Sequence, residues 1–279
     1  MNRRHAMKMS IATMFAALGC GSESERKDNP ATSASLANID ADGDPHAAVD
    51  PHAAKLQILM LVYPRFTALD LFGPQHVFSL LGPEYKTRLV WKDTSEVLSD
   101  TGVPVRPTLA FRDCTEAPAI LFIPGGTDGT LAAMEDKEVR EFVASRGANA
   151  KYVTSVCTGS LVLGAAGLLK GYKATTHWLA LESLKSFGAE PVAERVVVDR
   201  NRITGAGVTA GIDFALTLAA MVKDESYARG IQLMMEYDPQ PPFQSGNPTN
   251  ADPETVKLLQ AMVVPFNRDL AEAVKRLGM

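Results

Sequence analysis

The stretch Lys151-Tyr152-Val153-Thr154-Ser155-Val156-Cys157-Thr158-Gly159-Ser160-Leu161-Val162-Leu163-Gly164 decides the fold. Tyr152 to Val156 is apolar and β-branched enough for a strand buried on both faces of a parallel sheet. Thr158-Gly159-Ser160 then turns the chain into a helical pattern over Leu161 to Lys170. Strand, tight turn and helix in that order form a nucleophile elbow, with Cys157 in the usual serine position and Ser155 where glycine is usual. A thiol at a helix N-terminus meets free backbone N–H groups and the positive end of the macrodipole. The sequence therefore predicts a lowered Cys157 pKa and an activated nucleophile. A small buried residue at a tight junction would leave the same local pattern.

Working outward, Leu56 to Tyr63 and Ala119 to Ile123 are two more continuous apolar runs of strand length. Helical patterns lie between them, over Pro74 to Leu81 and over Leu131 to Ser145. Ser99-Asp100-Thr101-Gly102 carries hairpin signals ahead of a strand over Val103 to Phe111. Arg195 to Ile203 reads as two short strands around Asp199-Arg200-Asn201, and Thr209 to Val222 as a largely apolar, central helix. Alternating strands and helices predict one α/β domain over residues 55–279, with a doubly wound, mostly parallel sheet and the site at the carboxyl ends of its strands. Pro253 to Met279 reads as amphipathic helical packing interrupted at Pro265, too short for a helix-turn-helix module.

Two further stretches fall at strand ends. Pro124-Gly125-Gly126-Thr127-Asp128-Gly129 follows a strand and precedes a helix, so its backbone N–H groups are candidates for an oxyanion hole. A phosphate-binding loop would want GxGxxG order or a Walker lysine, both absent, and a plain turn is the other alternative. In Leu69-Asp70-Leu71-Phe72-Gly73-Pro74 an acid sits among apolar residues, where a raised pKa would let it hold a proton. Asp70 also suits the cap of a helix beginning near Pro74, and the two roles are compatible.

Composition limits the alternatives. Of 279 residues 46% are hydrophobic and 22% charged, which suits a globular core, and a net charge of -4 gives no reason to expect nucleic acid. Cys20, Cys114 and Cys157 are too scattered for a disulfide scaffold or a paired zinc site, so no metal is expected. Arg3, Arg4 and Lys8 followed by the apolar run Met9 to Gly19 read as an export signal over residues 1–20. Ala17-Leu18-Gly19-Cys20 resembles a lipobox with Ala17 where leucine is usual. Cys20 would then be lipidated, placing the protein on the periplasmic face of a bacterial membrane through that anchor alone. Arg3-Arg4-His5-Ala6-Met7-Lys8 also resembles the twin-arginine motif, with Ala6 in place of a large apolar residue. Residues 21–54 are polar and small, a flexible linker by composition. Their repeat, Asp44-Pro45-His46-Ala47-Ala48 and Asp50-Pro51-His52-Ala53-Ala54, reads as spacer rather than a metal site.

Asp70 in its Leu-Asp-Leu string, the Pro-Gly-Gly loop at 124–126 and Thr154 to Ser160 occur in the order and spacing of the DJ-1/PfpI superfamily. With Gly164 to Leu169, Ala174-Thr175-Thr176-His177-Trp178 and Gly207 to Leu216, the chain most resembles its isonitrile hydratase branch. That resemblance implies a flavodoxin-like homodimer, related to class I glutamine amidotransferases, that hydrates isonitriles to N-substituted formamides without a cofactor. It implies Cys157 as nucleophile, Asp70 as proton carrier, Thr158 as a positioning or capping residue, and Gly125 and Gly126 as backbone donors. His177 lies near the nucleophile in some branches of the superfamily and is structural in the other reading. Phe72 is bulky where relatives carry a small residue, which bears on the pocket. Thr158, where peptidase-like members carry histidine, argues against proteolysis. Reactive-carbonyl or redox-responsive chemistry at Cys157, and a non-catalytic exported ligand-binding protein, are the other readings.

Overall fold

The computed structural model describes residues 56–279. The expected export signal, the linker and Cys20 lie outside the described residues. β1 (Leu56–Leu61), β2 (Tyr85–Trp91), β5 (Leu109–Ala110), β6 (Ile120–Ile123), β7 (Tyr152–Val156), β10 (Val196–Asp199) and β11 (Arg202–Gly205) form one sheet, in the order β10-β11-β7-β6-β1-β2-β5. Every pairing in this sheet is parallel except β10 with β11, which are joined by a tight turn in which Arg200 takes φ 55°. β8 (Lys173–Ala174) and β9 (Glu190–Pro191) pair separately from it. This is the mostly parallel, doubly wound α/β architecture that the alternation predicts, and the flavodoxin-like fold that the resemblance implies.

β6 is buried throughout and β7 nearly so, as their unbroken apolar runs require. Helices α1 (Ala68–Ser79), α5 (Ala210–Val222) and α6 (Glu225–Met234) form one packed group. α2 (Thr127–Glu135), α3 (Lys137–Asn149), α4 (Gly159–Ala165) and α8 (Val264–Arg276) form another. Phe78 of α1 meets Phe122 of β6 and Phe214 of α5 edge-on, at 6.1 and 6.3 Å between ring centres, tying the first group to the sheet.

The strand order reverses between β1 and β6. From β1 the chain runs outward to β2 and β5, then returns to β6 on the other side. The carboxyl ends of these strands flank the crevice where sites form in doubly wound folds.

Several elements differ from the sequence-based expectation. α1 begins at Ala68, not near Pro74, because Asp100 Oδ1 accepts the Ala68 N–H at 3.1 Å. This cap comes from the hairpin of β3 (Val97–Leu98) and β4 (Pro104–Val105), thirty-two residues away, and places Asp70 in the first turn rather than at the cap. The helix expected over Leu131 to Ser145 is two helices, divided at Asp136, whose carboxylate accepts the Val139 N–H. The C-terminal stretch forms α7 (Pro253–Met262) and α8, so the interruption expected at Pro265 falls at Val263, with Pro265 in the first turn of the second helix.

Candidate active site

Three strand ends converge. Cys157 follows β7 with φ 56°, a left-handed conformation that is uncommon for a residue with a side chain. Its backbone is held on every side. The N–H donates to the carbonyls of Gly205 and Ala206 at 3.1 and 2.8 Å, and its carbonyl accepts from Thr176 Oγ1 and Ser160 Oγ at 2.8 and 3.2 Å. Gly159 is required next to it: a Cβ there would stand 2.3 Å from the Ile123 carbonyl oxygen.

Asp70, from the first turn of α1, is fully buried beside the thiol. Its Oδ2 accepts the Gly125 N–H at 3.0 Å, and its Oδ1 has no hydrogen-bond partner among the described residues. Burial, outweighing the Gly125 N–H and the Cys157 thiol, raises its pKa from the usual 3.8 to about 7, with a further upward push from Asp100.

Burial and the neighbouring Asp70 charge push the Cys157 pKa upward, against the opposing pull of the Thr158 and Val208 backbone N–H groups. The lowered thiolate pKa expected from the helix terminus is therefore corrected. The helix end contributes, but removal from water dominates. Above about pH 7 the pair holds one proton, as a thiol facing a carboxylate.

The glycine loop serves this pair differently from the expected oxyanion hole. Gly125 N–H is engaged by Asp70, and Gly126 N–H donates to Thr158 Oγ1 at 3.0 Å, so both donors are committed within the protein. The N–H groups facing sulfur are those of Thr158 and Val208.

A model of the DJ-1/PfpI family matches residues 56–221. The chain belongs to the DJ-1/PfpI family. It is 47% identical to an isonitrile hydratase of Pseudomonas putida over 221 residues, covering 79% of this chain and 96% of that one. A crystal structure of a ThiJ/PfpI family protein from Pseudomonas syringae, 49% identical, superposes with a TM-score of 0.77 over 82% of this chain and 98% of that one. A deglycase of Thermococcus kodakarensis is 29% identical over 53% of this chain and 89% of its own.

Within this DJ-1/PfpI site the structure brings Cys157, Asp70, Thr158, Gly125 and Gly126 together. Thr158 occupies the cap position of α4 without making a side-chain cap bond, its hydroxyl being turned to Gly126 and Thr130 instead. His177 caps the 3-10 helix Trp178–Phe187: its Nδ1 accepts the Leu179 N–H at 3.4 Å, which puts the neutral ring's proton on Nε2. Its ring packs on Gly207, beside the segment that holds the elbow, and burial lowers its pKa. That geometry favours the structural reading of His177.

Phe72 lies on the outer side of α1, 38% exposed, and Leu69 is 45% exposed, so Phe72 does not fill space within the buried core beside Asp70. Cys114 ends the 3-10 turn after the edge strand β5, a free thiol donating to the Ala110 carbonyl and pushed up by burial to about 11.

Sequence reasoning missed Tyr63, Thr130, Thr176 and Val208. Tyr63 and Thr176 carry hydroxyls that hold the backbone of Pro124 and Cys157, and Thr130 links Tyr63 to Thr158. Val208 acts through its N–H, which side-chain chemistry does not advertise. A cavity of about 410 Å³ between the 3-10 helix and the C-terminal helices, lined by Trp178, Val263 and Asn267, contains none of these groups. Among the described residues no cluster of three or more His, Cys, Asp or Glu is placed to hold a metal ion.

Proposed function

We propose that the protein is an exported, homodimeric isonitrile hydratase acting through Cys157 and Asp70. The observation that carries this reading is the buried thiol–carboxyl pair: a nucleophile and a group titrating near neutrality, in direct interaction, with Asp70 fixed by Gly125. The similarity to the Pseudomonas putida enzyme supports the choice of substrate class.

In the first step Asp70 accepts the Cys157 proton as sulfur attacks the terminal carbon of R–N≡C, and returns it to that carbon. The product is a thioimidate, R–N=CH–S–Cys157. Asp70 then removes a proton from water as oxygen adds to the same carbon and passes that proton to nitrogen, giving R–NH–CH(OH)–S–Cys157. Loss of the hydroxyl proton and cleavage of the C–S bond release R–NH–CHO, and sulfur recovers its proton through Asp70. The Thr158 and Val208 N–H groups stabilise the negative charge that develops on departing sulfur.

The deciding experiment offers an alkyl isocyanide to the purified protein and follows the formamide by mass spectrometry. Product is expected from wild type and none from Cys157→Ala. Undiminished product from that variant, or none from wild type, overturns the reading. Cysteine-dependent turnover of methylglyoxal without formamide would point to reactive-carbonyl chemistry instead, and tight ligand binding without turnover to a binding protein. For export, acylation and membrane association are expected of wild type and lost in Cys20→Ser; a Cys20→Ser form that stays acylated contradicts the lipid anchor.

A further inference from the structure

We infer that Tyr63 and Thr130 are positioning residues for the reacting pair, acting through a one-way chain of hydroxyl groups that clamps the Pro124–Gly126 loop against Asp70. This rests on the reading of Cys157 and Asp70 as the groups that react.

The direction of the chain follows from counting protons. Tyr63 Oη lies 2.7 Å from the Pro124 carbonyl oxygen, which can only accept, so the phenol proton points there. Tyr63 Oη also lies 3.2 Å from Thr130 Oγ1, and with its own proton committed it must accept from Thr130. Thr130 Oγ1 lies 2.8 Å from Thr158 Oγ1, and its one proton is already given to Tyr63, so Thr158 donates to Thr130. Thr158 Oγ1 in turn accepts the Gly126 N–H. Each hydroxyl has one proton and each has one place to put it.

The consequence is mechanical. Tyr63 holds the carbonyl of Pro124, and Thr158 holds the N–H of Gly126. The residue between them, Gly125, presents its N–H to Asp70 Oδ2. The loop is gripped on both sides of the one donor that touches the carboxylate. Tyr63 and Thr130 are both fully buried, which keeps water from substituting for either link. Burial also raises the Tyr63 pKa well above its usual value, so the phenol stays protonated throughout the working range. The Thr158 proton faces Thr130, away from the reacting pair. Thr158 therefore steers the loop rather than handing a proton to Asp70 or substrate.

The test compares Thr130→Val with Thr130→Ser, and adds Tyr63→Phe. The first reading is the pH dependence of Cys157 alkylation by iodoacetamide, followed on the Cys157 peptide by mass spectrometry. Asp70 is the base for the thiol, so the wild-type rate rises with a midpoint near the Asp70 value of about 7. Loosening the Gly125 N–H removes an interaction that favours the charged carboxylate. Thr130→Val and Tyr63→Phe are therefore expected to move the midpoint upward by about half to one pH unit. Thr130→Ser, which keeps the hydroxyl, restores the wild-type midpoint. With an isocyanide substrate the same two variants lose kcat by about tenfold with KM little changed, because positioning and not binding is affected.

A folded Thr130→Val protein with the wild-type midpoint and kcat overturns the inference, as does a Thr130→Ser protein that behaves like Thr130→Val. If Tyr63→Phe fails to fold, the Val and Ser pair at position 130 decides alone. A valine–serine difference in alkylation without any formamide production overturns the substrate reading and leaves the chain of hydroxyls standing.

Discussion

Gly125 donates its N–H to Asp70 Oδ2 at 3.0 Å, and a Cβ on that glycine would stand 2.7 Å from the same oxygen and 2.8 Å from Cys157 Cβ. The hydrogen bond and the close approach are one requirement: only a residue without a side chain brings its backbone to the carboxylate. Gly125→Ala is therefore expected to cost about 1–3 kcal/mol of stability through overpacking. It is also expected to lower kcat/KM by about a hundredfold through displacement of Asp70. Urea denaturation and steady-state kinetics check the two effects, and an alanine variant of normal activity would show that the loop does not set the geometry.

The pH profile follows from the direction of the Asp70 shift. Below about pH 7 both members of the pair are protonated and no base is present to take the sulfur proton. As Asp70 ionises, kcat/KM should rise with an apparent pKa near 7, and Asp70→Asn should lose at least about a hundredfold across the whole range. A profile whose midpoint lies near 4, the usual carboxylate value, would remove Asp70 from the role of base.

The same carboxyl has a cost in stability. Unfolded, Asp70 ionises near 3.8, and folded near about 7. Between these values the native state holds a proton that the unfolded chain has released, so stability falls as pH rises through the interval, and the loss is complete above it. Asp70→Asn removes this titration. At pH 8 the variant should be more stable than wild type by about 2–4 kcal/mol. Below pH 4 the gain should shrink toward zero. Denaturation curves at the two pH values decide it, and equal differences at both would show that ionisation is not the cause.

These predictions rest on features that were unequally legible in the sequence. The elbow at Cys157 was readable because strand, turn and helix signals are local, and Asp70 because an acid in an apolar string is conspicuous. The Cys157 pKa was not. Its sign depends on burial and on a carboxylate 87 positions away in the chain, and the helix terminus was the only local term in view. The start of α1 was misplaced for the same reason, since its cap is supplied by Asp100 across the fold. The two glycines were found as backbone donors, but which atoms they serve depends on Asp70 and Thr158, which sequence places in other elements. Tyr63 and Thr130 gave no signal, because a hydroxyl buried between strand ends looks like any other core residue.

Ser155 offers a contrast to the hydroxyls that are fully used. Its Oγ is buried with no hydrogen-bond partner among the described residues, although the residue lies only two positions before the nucleophile. An unsatisfied buried hydroxyl opposes folding, and removing it restores what its desolvation costs. Ser155→Ala is therefore expected to be neutral or to stabilise by up to about 1 kcal/mol, with kcat/KM changed less than threefold. A large loss of activity would reveal a role for this hydroxyl in the reacting state.

The nucleophile itself sits in a strained backbone conformation. Cys157 adopts φ 56° because four hydrogen bonds to its backbone, from the Ser160 and Thr176 hydroxyls to its carbonyl and from its N–H to the Gly205 and Ala206 carbonyls, leave the elbow no other path. In that region a Cβ crowds the backbone, and glycine escapes the conflict. Replacing Cys157 by alanine keeps the strain, whereas replacing it by glycine removes it. Both variants lack the thiol and should be inactive, so activity cannot separate them, but stability can. Ordinarily glycine is less stable than alanine because its unfolded chain is freer. Here the order should reverse, with Cys157→Gly more stable than Cys157→Ala by about 0.5–1 kcal/mol. Thermal denaturation of the two proteins side by side is sufficient. If alanine proves the more stable, the elbow has relaxed and the left-handed backbone at Cys157 is not imposed by its surroundings.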